Sequence, residues 1–247
     1  MFAFDKVPED TESLLSIDRK IAAQAHAFLG EIQMKVRPAP VVLEMVMMAE
    51  ERTKSQPLLR ALFRQHMSMV LRLCKADADA DLWQQESLGV FSKDDRFLDR
   101  ASLLSHALAD RCFESKRYTQ AEIWANRSIK EAERAGKVYP WLADAWRISA
   151  QALSDDNLGP EVEKRLRKSV SLWNEQREPD PIRGMFAHMG LGMYLLELGK
   201  LKEADAAFVE AVVFAKLLPA NAQYLADAPV AQLLKLRKIN PDTGLPS

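Results

Sequence analysis

Cysteine, histidine, glycine and proline are all scarce in these 247 residues, and each shortage removes a class of answer. Two cysteines, Cys74 and Cys112, are too few for a disulfide framework or a four-ligand zinc site. Four histidines lie scattered, with neither His-Glu-x-x-His nor a His-x-x-x-His pair, so no metal site is expected. Nine glycines and twelve prolines fall below the roughly 12% of ordinary usage, which favours long helices. No charge excess exists either: 34 basic against 35 acidic residues leave a net charge of −1, which argues against a nucleic-acid binder. No apolar run approaches the ~20 residues that span a bilayer. The longest, Val41–Met48 and Ala211–Leu218, are interrupted by Glu44 and Lys216. The first ten residues carry no basic segment ahead of Asp5, unlike a signal peptide, so a cytoplasmic protein without a membrane partner is expected. Phosphate loops, dinucleotide fingerprints and the Gly-x-Ser-x-Gly elbow are absent. Carboxylates are plentiful, yet none stands out as an acid–base pair. The expectation is a protein without catalytic residues, metal or cofactor.

Apolar residues do recur at three- and four-residue spacing almost throughout, while alternating runs are missing. Helices are therefore expected over about Thr11–Gln33, Val41–Thr53 and Pro57–Lys75. Asp77-Ala78-Asp79-Ala80-Asp81 imitates a calcium loop but lacks its glycine and terminal carboxylate, so a solvated connector is expected there. Ser92-Lys93-Asp94-Asp95 and Thr119-Gln120-Ala121-Glu122 resemble capping boxes and open two more helices, the second stopping at Gly136. Further helices are expected from Pro140 to Ser154, from Pro160 to about Gln176, from Pro181 to Gly199 and over Lys200–Leu218. A last one ends near Lys238. Short connections between such helices make antiparallel hairpins.

A repeat runs through the second half. Ala109, Ala150 and Gly192 are offset by 41 and 42 residues, and so are Ala121, Val162 and Ala204. The same register aligns Leu108, Ser149 and Leu191, then Cys112, Leu153 and Leu195. It also aligns Ala125, Leu166 and Phe208, and Ser128, Ser169 and Ala211. Small residues midway along a first helix let the second helix of its hairpin approach closely; larger ones fill the gaps between hairpins. One hairpin cannot bury both faces, so several stack into a continuous core.

These columns resemble the tetratricopeptide repeat family in its long-helix variety of roughly 40 residues. Leu191-Gly192, Leu195, Gly199, Ala204, Phe208 and Ala211 carry the best single match, and coverage is about Ala101–Leu218. Ser105 and His188 depart from the family's usual aromatic, and Val162 from its alanine. The resemblance implies an all-α, right-handed solenoid of antiparallel hairpins with a C-terminal capping helix. Residues 1–90 would form an N-terminal helical segment, 91–218 three hairpins, and 219–247 the cap and tail. His26, His66 and His106, each 40 apart, hint at diverged repeats in the first segment.

In this family the first helices of successive hairpins line a groove that takes peptides. Carried across in register, the groove candidates here are His106, Asp110 and Phe113; then Asp144, Arg147 and Gln151; then Phe186, Met189 and Met193, with Glu197 beyond. The family's carboxylate clamp for chaperone tails is not matched: His106, Asp110, Ile148, Phe186 and Gly190 stand at those places. Met185, Met189 and Met193, at four-residue intervals, fit either a groove wall or core packing. The leading expectation is a non-enzymatic module that binds a protein or peptide as adaptor, assembly factor or regulator. The alternatives are a sensor of a small molecule or signalling peptide, an enzyme with an unmarked site, and self-association through the end helices. The basic run Lys164–Lys168, flanked by Glu161 and Glu163, reads as a solvated helix face.

Overall fold

The computed structural model describes residues 11–154, 159–176 and 180–238. Among them the chain is all-α: eleven α-helices and two short 3₁₀ turns, with no strand. It divides into two compact units, Met1–Leu108 and Ala109–Ser247.

The N-terminal unit contains α1 (Thr11–Gln33), α2 (Ala39–Glu51), α3 (Pro57–Leu73), α4 (Asp77–Phe91) and the first part of α5 (Leu98–Glu114). Helix α3 is its centre and packs on α1, α2 and α4; α1 barely touches α2, so these two do not form a repeat-like hairpin. Charge as well as apolar burial holds α3 in place. Glu50 of α2, buried, accepts from Arg60 Nε at 2.5 Å and Arg64 Nε at 2.8 Å, and the Arg64 guanidinium lies 5.4 Å from the Trp83 ring of α4. Asp18 of α1 accepts from His66 Nε2 at 2.8 Å and from both terminal nitrogens of Arg100. Burial alone would raise the Asp18 pKa, but these hydrogen bonds overcome it and hold the carboxyl below its ordinary value. The three aspartates expected in a connector instead open α4, where Asp77 and Asp79 face the positive end of the helix dipole.

The C-terminal unit takes the end of α5 and then α6 (Tyr118–Ala135), α7 (Leu142–Ser154), α8 (Pro160–Asn174), α9 (Pro181–Glu197), α10 (Leu201–Ala215) and α11 (Asp227–Arg237). From α6 onward each helix packs on the next, and α7 also touches α9. That nearest-neighbour pattern is how stacked hairpins share a core. The unit is solenoid-like.

Its core is built on the repeat columns. Ala109, Ala150 and Gly192 are buried, as are Ala121, Val162 and Ala204, then Ala125, Leu166 and Phe208, then Ser128, Ser169 and Ala211. Gly192 has a direct steric reason: a Cβ there would stand 2.8 Å from the ring of fully buried Phe208 on α10. A polar seam joins the hairpins where Ser149 Oγ donates to Asn126 Oδ1 at 2.7 Å and Arg165 Nη1 reaches Ser149 Oγ at 2.5 Å. Helix α11 is not separate from the repeats: Leu236 joins the cluster of Val162, Leu166, Ala204 and Phe208.

Several expected boundaries move. The division between the two compact units falls inside α5, which contributes to both. Asp94, not Ser92, caps the turn before α5, accepting from the Arg96 amide at 3.1 Å. Thr119 lies within the first turn of α6, whose start has no side-chain cap, and α7 begins at Leu142 rather than Pro140. Gly136 and Gly199 end their helices in the left-handed conformation as expected, but Lys35, Lys75 and Lys116 adopt it too, at φ 57–63°. Residues 155–158, between the helices expected to end at Ser154 and to start at Pro160, lie outside the described residues.

His188 fills the column position of Ser105 and Trp146. It is buried, its Nε2 is 3.2 Å from Asn174 Oδ1, and its ring centroid lies 5.4 Å from that of Phe214. Burial lowers its pKa to about 4. An unfolded histidine takes its proton near pH 6.5. Between these values the unfolded chain binds more protons, so acidification favours unfolding. Stability is expected to hold above pH 7 and to fall by up to about 3 kcal/mol on approaching pH 4. Denaturant melts of the wild type and of His188→Phe at pH 7.5 and pH 4.5 check this, since the variant lacks that slope.

Candidate functional site

Two helix faces of the C-terminal unit bring most of the expected groove residues together. On α7, Asp144, Arg147 and Gln151 recur at spacings of three and four; on α9, Phe186, Met189, Gly190, Met193 and Glu197 do the same. Gln151, Leu166, Phe186, Met189, Gly190, Met193, Tyr194 and Glu197 line one open depression of about 230 Å³. Its wall is mainly apolar. The methionine ladder divides between the two expected roles: Met185 is fully buried, Met189 is half-buried, and Met193 is 37% exposed in the depression.

Beside it lies a charged lattice. Asp144, only 1% exposed, accepts from Arg147 Nε at 2.7 Å and from Arg183 Nη1 at 2.5 Å. Arg147 Nη1 donates to Gln151 Oε1 at 2.6 Å, and its guanidinium lies 5.5 Å from the Phe113 ring centroid. Arg183 Nη2 also stands 3.8 Å from Asp110. Asp180 fixes the start of α9 by accepting from the amides of Ile182 and Arg183. Asp110, Phe113, Asp144 and Arg147 are thus tied into one lattice with Arg183, which meets the depression through the Arg147–Gln151 hydrogen bond.

Five of the nine expected groove residues, His106, Asp110, Phe113, Asp144 and Arg147, do not line it. His106 is buried and belongs to the N-terminal unit. Asp144 is buried because two arginines must be neutralised there, which leaves it no face for a ligand. Sequence reasoning assigned Leu166 to the packing between hairpins and overlooked Arg183. No local spacing links Arg183 to Asp144, 39 residues earlier, so only the fold brings them together. Substituting Arg147 would disturb the lattice, which makes Met193 and Phe186 the cleaner probes of binding.

Gly190 is small for a reason: a Cβ at this position would meet Gln151 Nε2 at 2.6 Å. Tyr194 Oη donates to the Gly159 carbonyl at 2.7 Å. Among the described residues no group of three His, Cys, Asp or Glu is arranged to hold a metal ion, and no helix is long and apolar enough to cross a membrane. The two arginines of the basic run on α8 are tied up in ion pairs: Arg165 with Glu161 and Glu122, Arg167 with Glu163 and Glu203.

No family model matches the sequence, and no curated protein matches it significantly. Solved structures do resemble it. One is the crystal structure of BtubC (BKLC) from P. vanneervenii, with a TM-score of 0.62 at 12% identity. The match covers 78% of this chain and 80% of that one. The likeness is one of fold alone.

Proposed function

We propose that the protein is a tetratricopeptide-like helical-repeat module without catalytic activity. It binds a protein or peptide segment through the α7–α9 face and serves as an adaptor, assembly factor or regulator. The observation that carries this reading is the depression formed by Gln151, Phe186, Met189 and Met193, which the repeat register had grouped on one face. Methionine walls suit it, because the flexible, polarisable thioether adapts to varied side chains. Size favours a peptide side chain over a small molecule. Pockets for drug-sized ligands run from about 300 to 1,000 Å³, and this one, at about 230 Å³, is smaller and open. Neutralisation of the α8 arginines supports a partner other than nucleic acid. The free thiols of Cys74 and Cys112 fit a reducing, cytoplasmic setting.

Photo-cross-linking tests the reading. A benzophenone amino acid is placed at Met193 or, as control, at exposed Lys168 on α8 in cells of the source organism. Covalent adducts with a partner are expected from position 193 and not from 168. Adducts from 168 alone, or from neither position, would refute the proposed face.

A further inference from the structure

Among the described residues, the depression has one charged lining group without an ion pair. Of its lining polar groups, the Tyr194 hydroxyl is committed to the Gly159 carbonyl and Gln151 Oε1 to Arg147. Glu197, exposed at the end of the apolar wall, makes no ion pair among the described residues. The other nearby acids differ. Glu163 is held by Lys200 Nζ at 2.8 Å and by Arg167, and Asp144 is enclosed between Arg147 and Arg183. The Tyr194 hydroxyl has its pKa raised, first by burial and then by Glu163; Lys200 opposes that rise, and Glu197 adds the smallest contribution to it.

Resting on the peptide-binding reading above, we infer that this site selects a segment with an apolar side chain next to a cation. The apolar group lies against Phe186, Met189 and Met193, and a lysine or arginine beside it pairs with Glu197. Charge complementarity decides the sign. An acidic neighbour would meet an unneutralised carboxylate across a water-exposed gap, and a neutral one would gain nothing from it. Exposed pairs contribute modestly, so the preference for a cation over a neutral residue is about threefold, and for a cation over an anion about tenfold.

The test uses the full chain labelled with ¹³C at the methionine methyl groups. Three synthetic decapeptides of glycine and serine carry a central leucine flanked by lysine, by glutamine or by glutamate. The Met189 and Met193 methyl signals are expected to shift on titration while buried Met185 changes least, with affinity in the order lysine, glutamine, glutamate. Glu197→Lys, at an exposed position that leaves helical circular dichroism unchanged, is expected to reverse that order. If all three peptides shift the methyl signals with equal affinity, the charge selection is wrong and the peptide-binding face survives. If none shifts them, both fail.

Discussion

Replacing Phe208 with alanine is expected to destabilise the C-terminal unit by about 4 kcal/mol, within the usual range for emptying a fully buried aromatic site. In a protein of this length that loss lowers the midpoint of thermal unfolding by roughly 12 °C, at about 3 °C per kcal/mol. The ring is the filler between α9 and α10, in a core of Ala150, Val162, Leu166, Ala204 and Leu236. The argument extends to its partner. Alanine is intrinsically a better helix residue than glycine by about 1 kcal/mol, so Gly192→Ala would stabilise an unobstructed helix. Here the added methyl meets Phe208 at 2.8 Å, and the clash is expected to outweigh the gain by about 1–2 kcal/mol. Combining Gly192→Ala with Phe208→Leu, which withdraws the ring edge, should cost less than the two single changes together. Calorimetry of the four proteins measures that coupling. Additive losses would mean that the two helices do not meet at this point.

Asp144→Ala is expected to cost a similar amount, about 4 kcal/mol, for an electrostatic reason. The carboxylate is buried between Arg147 of α7 and Arg183 of α9. Its removal strands the Arg147 guanidinium, whose side chain is mostly covered by Gln151 and Phe113. Asp144→Asn retains an acceptor but no charge and should lose roughly half as much. The double variant Asp144→Ala, Arg147→Met should recover part of the loss, because the stranded cation is gone and an apolar chain fills its place. Urea denaturation at neutral pH distinguishes these cases. Equal stability of the Asp144→Ala protein and the wild type would reduce the lattice to a surface feature.

Much of this fold could be read from spacing because its steric demands repeat. Ala109, Ala150 and Gly192 each lie at a helix contact, and an equal stride brings the same constraint back. The register also grouped Phe186, Met189 and Met193 with Gln151, since a helix face is a matter of counting by three and four. Burial of charge was harder to foresee. Asp144 was expected to face the groove, and only the approach of Arg183 from a helix 39 residues on makes its enclosure stable. The N-terminal unit was less legible for a related reason. Its α2–α3–α4 assembly depends on Glu50, Arg60 and Arg64, a charge cluster with no repeating small-residue columns. The start of α4 also follows Lys75, which does not announce a turn as glycine would.

Those lysines carry a lesson about selection. Lys35, Lys75 and Lys116 each sit where an L-residue crowds its own carbonyl, at a cost of about 1 kcal/mol apiece relative to the conformation they prefer. The backbone bonds that close the turns, such as Ala76 N to Leu71 O and Arg117 N to Cys112 O, need no side chain at those positions. Roughly 3 kcal/mol of attainable robustness has therefore been left unused, spread over three connections between helices. Such slack leaves room for heat-tolerant variants without any change to the α7–α9 face.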